Sequence, residues 1–95
     1  MSYCIVYHPQ AVAQDIARVA PSLKKRLASA IQDRLKSHPE SYGKPLRGTL
    51  AGSWKLRVGD FRIVYSIVKQ EVWIYALLHR QDVYEDVMKR LAWEP

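Results

Sequence analysis

One cysteine, Cys4, is all the thiol chemistry in this chain of 95 residues. An intrachain disulfide and a cysteine-based metal cluster are therefore both excluded. Cys4 lies in the apolar run Tyr3–Tyr7 and is expected to be a buried core residue rather than a nucleophile. Histidine is nearly as scarce. His8, His38 and His79 are far apart, and none falls in a close ligand motif, so neither a metal nor any other cofactor is expected. The amino terminus lacks a basic segment leading into a long apolar stretch, which argues against a signal peptide. No run approaches the ~18 consecutive apolar residues of a membrane span. A soluble, cytoplasmic protein with no membrane partner is the expectation. There is no internal repeat and no low-complexity segment, and the length allows one domain, residues 1–95.

Acid is the other shortage. Nine Asp and Glu face fifteen Lys and Arg, for a net charge of +6. Such a balance suits a polyanionic partner, which can be a nucleic acid or an acidic protein.

What is present divides into helical and strand-like stretches. Tyr3–Tyr7 is β-branched and aromatic and ends at His8-Pro9, a short first strand. In the helical segment opened by Pro9, Val12, Ile16 and Val19 recur every three to four residues. Pro21 breaks it, and Ser22 is a plausible N-cap for the next helix. That helix carries Leu23, Leu27, Ile31 and Leu35 as one apolar stripe and runs to about Ser37, before Pro39. Ser41–Ser53, with Gly43, Pro45, Gly48 and Gly52, reads as an exposed connection. Trp54–Val58, Phe61–Val68 and Val72–Leu78 then form a three-stranded antiparallel meander through turns at Gly59-Asp60 and Lys69-Gln70. Asp82 caps a last helix with Val83, Val87 and Leu91 on one stripe. The expected fold is α+β, in the order β-α-α-β-β-β-α, with a helical hairpin packed on a small, mainly antiparallel sheet. The first strand fits beside either edge of the meander.

Five cations (Lys44, Arg47, Lys55, Arg57 and Arg62) and one acid, Asp60, fall between residues 44 and 62. A two-residue turn at Gly59-Asp60 sets Arg57 opposite Arg62, with Lys55 on the same side. Like charges directly opposed destabilise a hairpin, which favours an anion between them over two solvated side chains. A two-residue turn at Lys69-Gln70 then pairs Ser66 with Trp73, Val64 with Tyr75 and Arg62 with Leu77. The same face would carry Trp73, Tyr75 and His79, with Arg80 just past the strand. A slip of one residue swaps those faces. Trp73 and Tyr75 suit either base stacking or a core under a helix. His79 fits a proton-transfer role or a hydrogen-bonded structural one. An arginine held beside a phosphate stabilises its transition state.

Three stretches resemble the RelE/ParE toxin family of bacterial and archaeal toxin–antitoxin pairs: Leu46-Arg47-Gly48, Trp54 through Tyr65, and His79-Arg80-Gln81-Asp82-Val83-Tyr84. The resemblance covers nearly the whole chain. It implies a metal-independent ribonuclease that cuts messenger RNA in the ribosomal A site, with a cognate antitoxin as its protein partner. By motif position it implies catalytic roles for Lys55, Arg62, Arg80 and Tyr84, and Arg57 matches a basic position of the same strand; with Arg47 and Lys44 of the cation cluster, Arg57 is expected to bind RNA phosphates. A second family lysine falls here on Ser53, and the resemblance implies His79 as the residue that compensates, since histidine serves near this point in some relatives. The ParE branch instead poisons DNA gyrase on the same scaffold, so the resemblance is stronger for fold than for activity.

Overall fold

In the computed structural model, which describes residues 2–82, 85–93 and 95, Cys4–Tyr7 forms strand β1. A wide π-type turn at Ala11–Asp15 and a 3-10 turn at Ile16–Arg18 follow it. Helix α1 spans Pro21–Ala30 and continues as π-type turns over Ile31–Leu35, and a short α2 covers Pro39–Tyr42. Lys44–Pro45 forms β2, Trp54–Val58 β3, Phe61–Val68 β4 and Glu71–His79 β5. Helix α3 spans Glu85–Arg90. This is the α+β arrangement expected.

The sheet order is β1-β5-β4-β3-β2, so β1 lies beside the last strand. It runs parallel to β5, with Cys4 against Glu71 and Tyr7 against Ile74, while the other neighbours are antiparallel. Three expectations need correcting. Cys4 is exposed, because β1 is an edge strand and Cys4 begins it. The 41–53 connection contains an edge strand and buries Leu50 and Ser53. Helix α1 takes Pro21 at its first turn with Ala20 as N-cap, because proline's missing N–H costs nothing there; Ser22 is inside the helix.

The two faces of the sheet bury different clusters. One, the hairpin face, packs Leu56, Ile63, Tyr65, Ile74 and Leu77 against Leu27, Ile31 and Leu35, which confirms the four-residue stripe. The other, the α3 face, packs Val64, Tyr75, Ala76 and Leu78 under Val87, Leu91, Trp93 and Leu50. Tyr75 is thus a core residue beneath the terminal segment, and the partly buried Trp73 packs against the same cluster. The first helical segment departs from its apolar reading: Val12 is 51% exposed, whereas Ala11 and Asp15 are buried.

A cationic face and the bulge that shapes it

The β3–β4 register is the one the turn residues specify. Arg57 stands opposite Arg62, and Val58 opposite Phe61. The turn works because Gly59 takes φ +60°, where a two-residue hairpin needs a left-handed residue. Lys55 pairs with Val64 on one side and Lys44 on the other. Since Val64 belongs to the α3 cluster, Lys44 and Lys55 share its face, and Arg57 and Arg62 do so one row further on. Two like-charge pairs therefore lie side by side at the margin of α3. Directly opposed residues have Cβ atoms ~4.5–5.5 Å apart, close enough for the repulsion to count. Among the described residues none of these four cations has a carboxylate within ion-pair distance.

Arg62 is half-buried, and its Nε is sealed from solvent with no hydrogen-bond partner among the described residues. A buried guanidinium N–H without an acceptor is costly. Arg80 follows β5 directly. Its N–H donates to the Asp60 carbonyl at 2.7 Å, and its guanidinium lies 3.9 Å from the Asp60 carboxylate, with both side chains exposed. Such a pair is weak and leaves Arg80 available. Arg47 is exposed just beyond β2. Tyr84 and Val83 lie outside the described residues.

His79 is not with these residues. Tyr65 pairs with Ile74 and Val64 with Ala76, so Tyr75 is an extra residue in β5. Tyr75 and Ala76 consequently both join the α3 cluster, and every later residue of the strand changes face. Arg62 stands opposite Leu78 rather than Leu77, and His79 opposite Phe61. The His79 ring meets the edge of Phe61 at 5.5 Å, in a cleft with Leu23 and Leu27 of α1. Its Nδ1 accepts the Gln81 N–H at 3.3 Å. The period-two reading fails here because the bulge shifts it by one.

Two residues that no motif indicated hold the bulge. Asp15 Oδ2 accepts the Leu77 N–H at 3.0 Å, beyond the point where β1 ends. Arg90 Nη1 donates to the Tyr75 carbonyl at 3.0 Å and to Asp15 Oδ2 at 2.7 Å. The backbone groups that the bulge frees are thereby satisfied by a buried ion pair. His8 borders it, its Nδ1 accepting the Gln10 N–H and its ring 5.0 Å from that of Trp93. Burial first, and then the Arg90 charge, lower the His8 pKa below its usual 6.5, while Asp15 opposes them.

A family profile described as the ParE toxin of the type II toxin–antitoxin system parDE matches residues 5–84. The chain belongs to the ParE toxin family. Its curated relatives carry RelE-type names. Toxin RelG of Mycobacterium tuberculosis is 30% identical over 73 residues, 75% of this chain and 84% of that one. Toxin RelE of the same organism is 34% identical over 55 residues, 58% of this chain and 57% of that one. Among solved structures, the M. tuberculosis RelBE2 toxin–antitoxin complex matches with a TM-score of 0.78 at 28% identity, covering 84% of this chain and 100% of that one. The isolated E. coli RelE toxin matches at 0.68 and 20% identity, covering 95% and 99%, and so shares the fold. The protein is a toxin of a RelBE-type pair. Among the described residues, no group of three or more His, Cys, Asp or Glu is placed to hold a metal ion. No helix among them is long and apolar enough to cross a membrane.

Proposed function

We propose that this toxin is an endoribonuclease that cuts messenger RNA in the ribosomal A site without a metal ion. What carries the reading is the paired arginines Arg57 and Arg62, opposed across a tight hairpin with Lys55 beside them and no carboxylate partner among the described residues. An RNA 2′-hydroxyl attacks its own 3′-phosphate, leaving a 2′,3′-cyclic phosphate and a 5′-hydroxyl. The 2′ proton passes to water, and the Lys55 ammonium helps its removal by stabilising the oxygen as it becomes negative. Arg57 and Arg62 hold the phosphate oxygens, with the unpartnered Arg62 Nε donating to the charge that develops there. Arg80 stabilises the leaving 5′ oxygen electrostatically while water supplies the proton that makes it a hydroxyl, since arginine holds its own proton too tightly to be a literal acid. Tyr84 orients the base, and Lys44 and Arg47 bind flanking phosphates. His79 takes no part, because its ring is on the hairpin face. Cationic clamps of this kind need a well-aligned substrate, which the ribosome supplies. The toxin acts in the cytoplasm, and a cognate acidic antitoxin covers the cationic face.

Mapping of 5′ ends on ribosomes stalled in a translation extract tests this. Cuts that leave a cyclic phosphate are expected at A-site codons. The ParE profile match favours a second reading, a gyrase inhibitor without nuclease activity. Intact messenger together with blocked supercoiling would establish that alternative.

A further inference from the structure

The cations continue around the edge of the sheet onto its other side. Arg26 and Arg34 are eight residues apart on the α1 stretch, about 12 Å along an ideal helix. Both line a trough with Arg57, Val58 and Gly59. The Arg26 guanidinium lies over the β3–β4 turn, 3.4 Å from where a Cβ on Gly59 would stand. Arg34 extends over the Tyr42 ring, 5.9 Å from its centre, and Tyr42 is itself exposed. Asp33 is the one acid in the lining, and none of the three arginines makes an ion pair among the described residues.

Arg26, Arg34 and Arg57 outnumber the single carboxylate of Asp33 in this lining, and such an excess of like charge repels itself unless an anion is present. Guanidinium forks suit phosphate oxygens bidentately. The apolar lining is only Ala30 and Val58, which is too little for the buried anchors a protein interface needs. Arg57 also joins the trough to the cationic face.

We propose that this trough is a second phosphate-binding surface, which grips the backbone of structured RNA outside the segment being cut. The proposal rests on the nuclease reading in taking RNA as the ligand. The toxin thus holds RNA on both sides of the Gly59-Asp60 turn, with Arg57 shared between them.

The test is fluorescence anisotropy of a labelled RNA hairpin titrated with the full toxin over a range of salt. The Arg26→Gln/Arg34→Gln variant should lower the salt slope of log affinity by about 1.4–1.8, the value for two lost phosphate contacts. Affinity at moderate salt should fall on the order of tenfold. Arg26→Lys/Arg34→Lys should restore most of the slope, which separates charge from misfolding. A Gln variant that melts like wild type and keeps its slope overturns the proposal. Equal weakening towards a polyglutamate peptide also overturns it, in favour of an acidic protein partner. The messenger-mapping assay on wild type is independent. A toxin that cuts no messenger but shows the arginine-dependent slope refutes the nuclease reading and leaves the trough standing.

Discussion

Asp15 and Arg90, seventy-five residues apart in the chain, meet at 2.7 Å in an ion pair sealed from solvent, and together they fasten both faces of the sheet to the β5 bulge. Asp15 arrives from the segment before α1 and Arg90 from the end of α3. Arg90 also reaches Gln10 at 3.2 Å, so its nitrogens are engaged by several acceptors. A buried charge pair of this kind is tolerable only when its remaining donors and acceptors are filled.

Removing one partner should therefore be severe. Asp15→Ala is expected to cost about 3–5 kcal/mol, because Arg90 stays buried with its charge uncompensated and the Leu77 N–H loses its acceptor. Asp15→Ala combined with Arg90→Met should cost less than the sum of the two single changes. Urea unfolding of the four proteins measures that coupling, and additive losses would contradict the arrangement.

Acid should weaken the same corner. The pKa of His8 is lowered on folding, so the unfolded chain binds more protons than the folded one between the depressed value and 6.5. Stability then rises with pH across that window and is lost as pH falls through it. Thermal melts between pH 7.5 and 5 should show this slope in wild type, and His8→Gln should flatten it.

Arg62→Ala and Arg80→Ala should each leave the circular-dichroism spectrum unchanged while lowering messenger cleavage on the order of 10²–10³-fold, the usual loss for one electrostatic stabiliser. Growth inhibition at matched expression is a second readout. Full toxicity in either variant would remove that residue from the mechanism.

His79→Gln should cut messenger within a factor of ~3 of wild type. A proton-transfer group contributes roughly 10²–10⁴-fold, and a ring in the cleft beside Phe61 contributes none of it. A hundredfold loss would place His79 back among the reacting groups.

Tyr65 and Gly43 should prove strongly coupled. The Tyr65 hydroxyl donates to the Pro39 carbonyl at 2.6 Å, and a Cβ on Gly43 would overlap that hydroxyl. Tyr65→Phe is expected to cost about 1–3 kcal/mol by orphaning a buried carbonyl, and Gly43→Ala about as much by overpacking. Once Tyr65→Phe has removed the hydroxyl, the Gly43 change should become milder, which chemical denaturation would show.

Local rules decided the larger part of this molecule. The stripe Leu27, Ile31 and Leu35 has one period, and the face it buries follows from that period alone. The pairing of Arg57 with Arg62 needs only the two residues between β3 and β4, since a tight turn propagates its register outward. Lys55, Arg57 and Arg62 were therefore placed together by sequence. The side of the sheet that His79 occupies was not. It depends on whether β5 carries an extra residue at Tyr75, and the groups that satisfy that bulge come from Asp15 and Arg90. Neither has a sequence signature: an acid in a helical stretch and an arginine near a helix end are ordinary. Arg26 and Arg34 are equally ordinary as cations off an apolar stripe, and only the folded hairpin brings them to Arg57. Period and turn chemistry act over a few residues, whereas buried ion pairs and converging charges join distant segments, so the chain alone fixed the cationic hairpin and tertiary packing fixed what stands on either side of it.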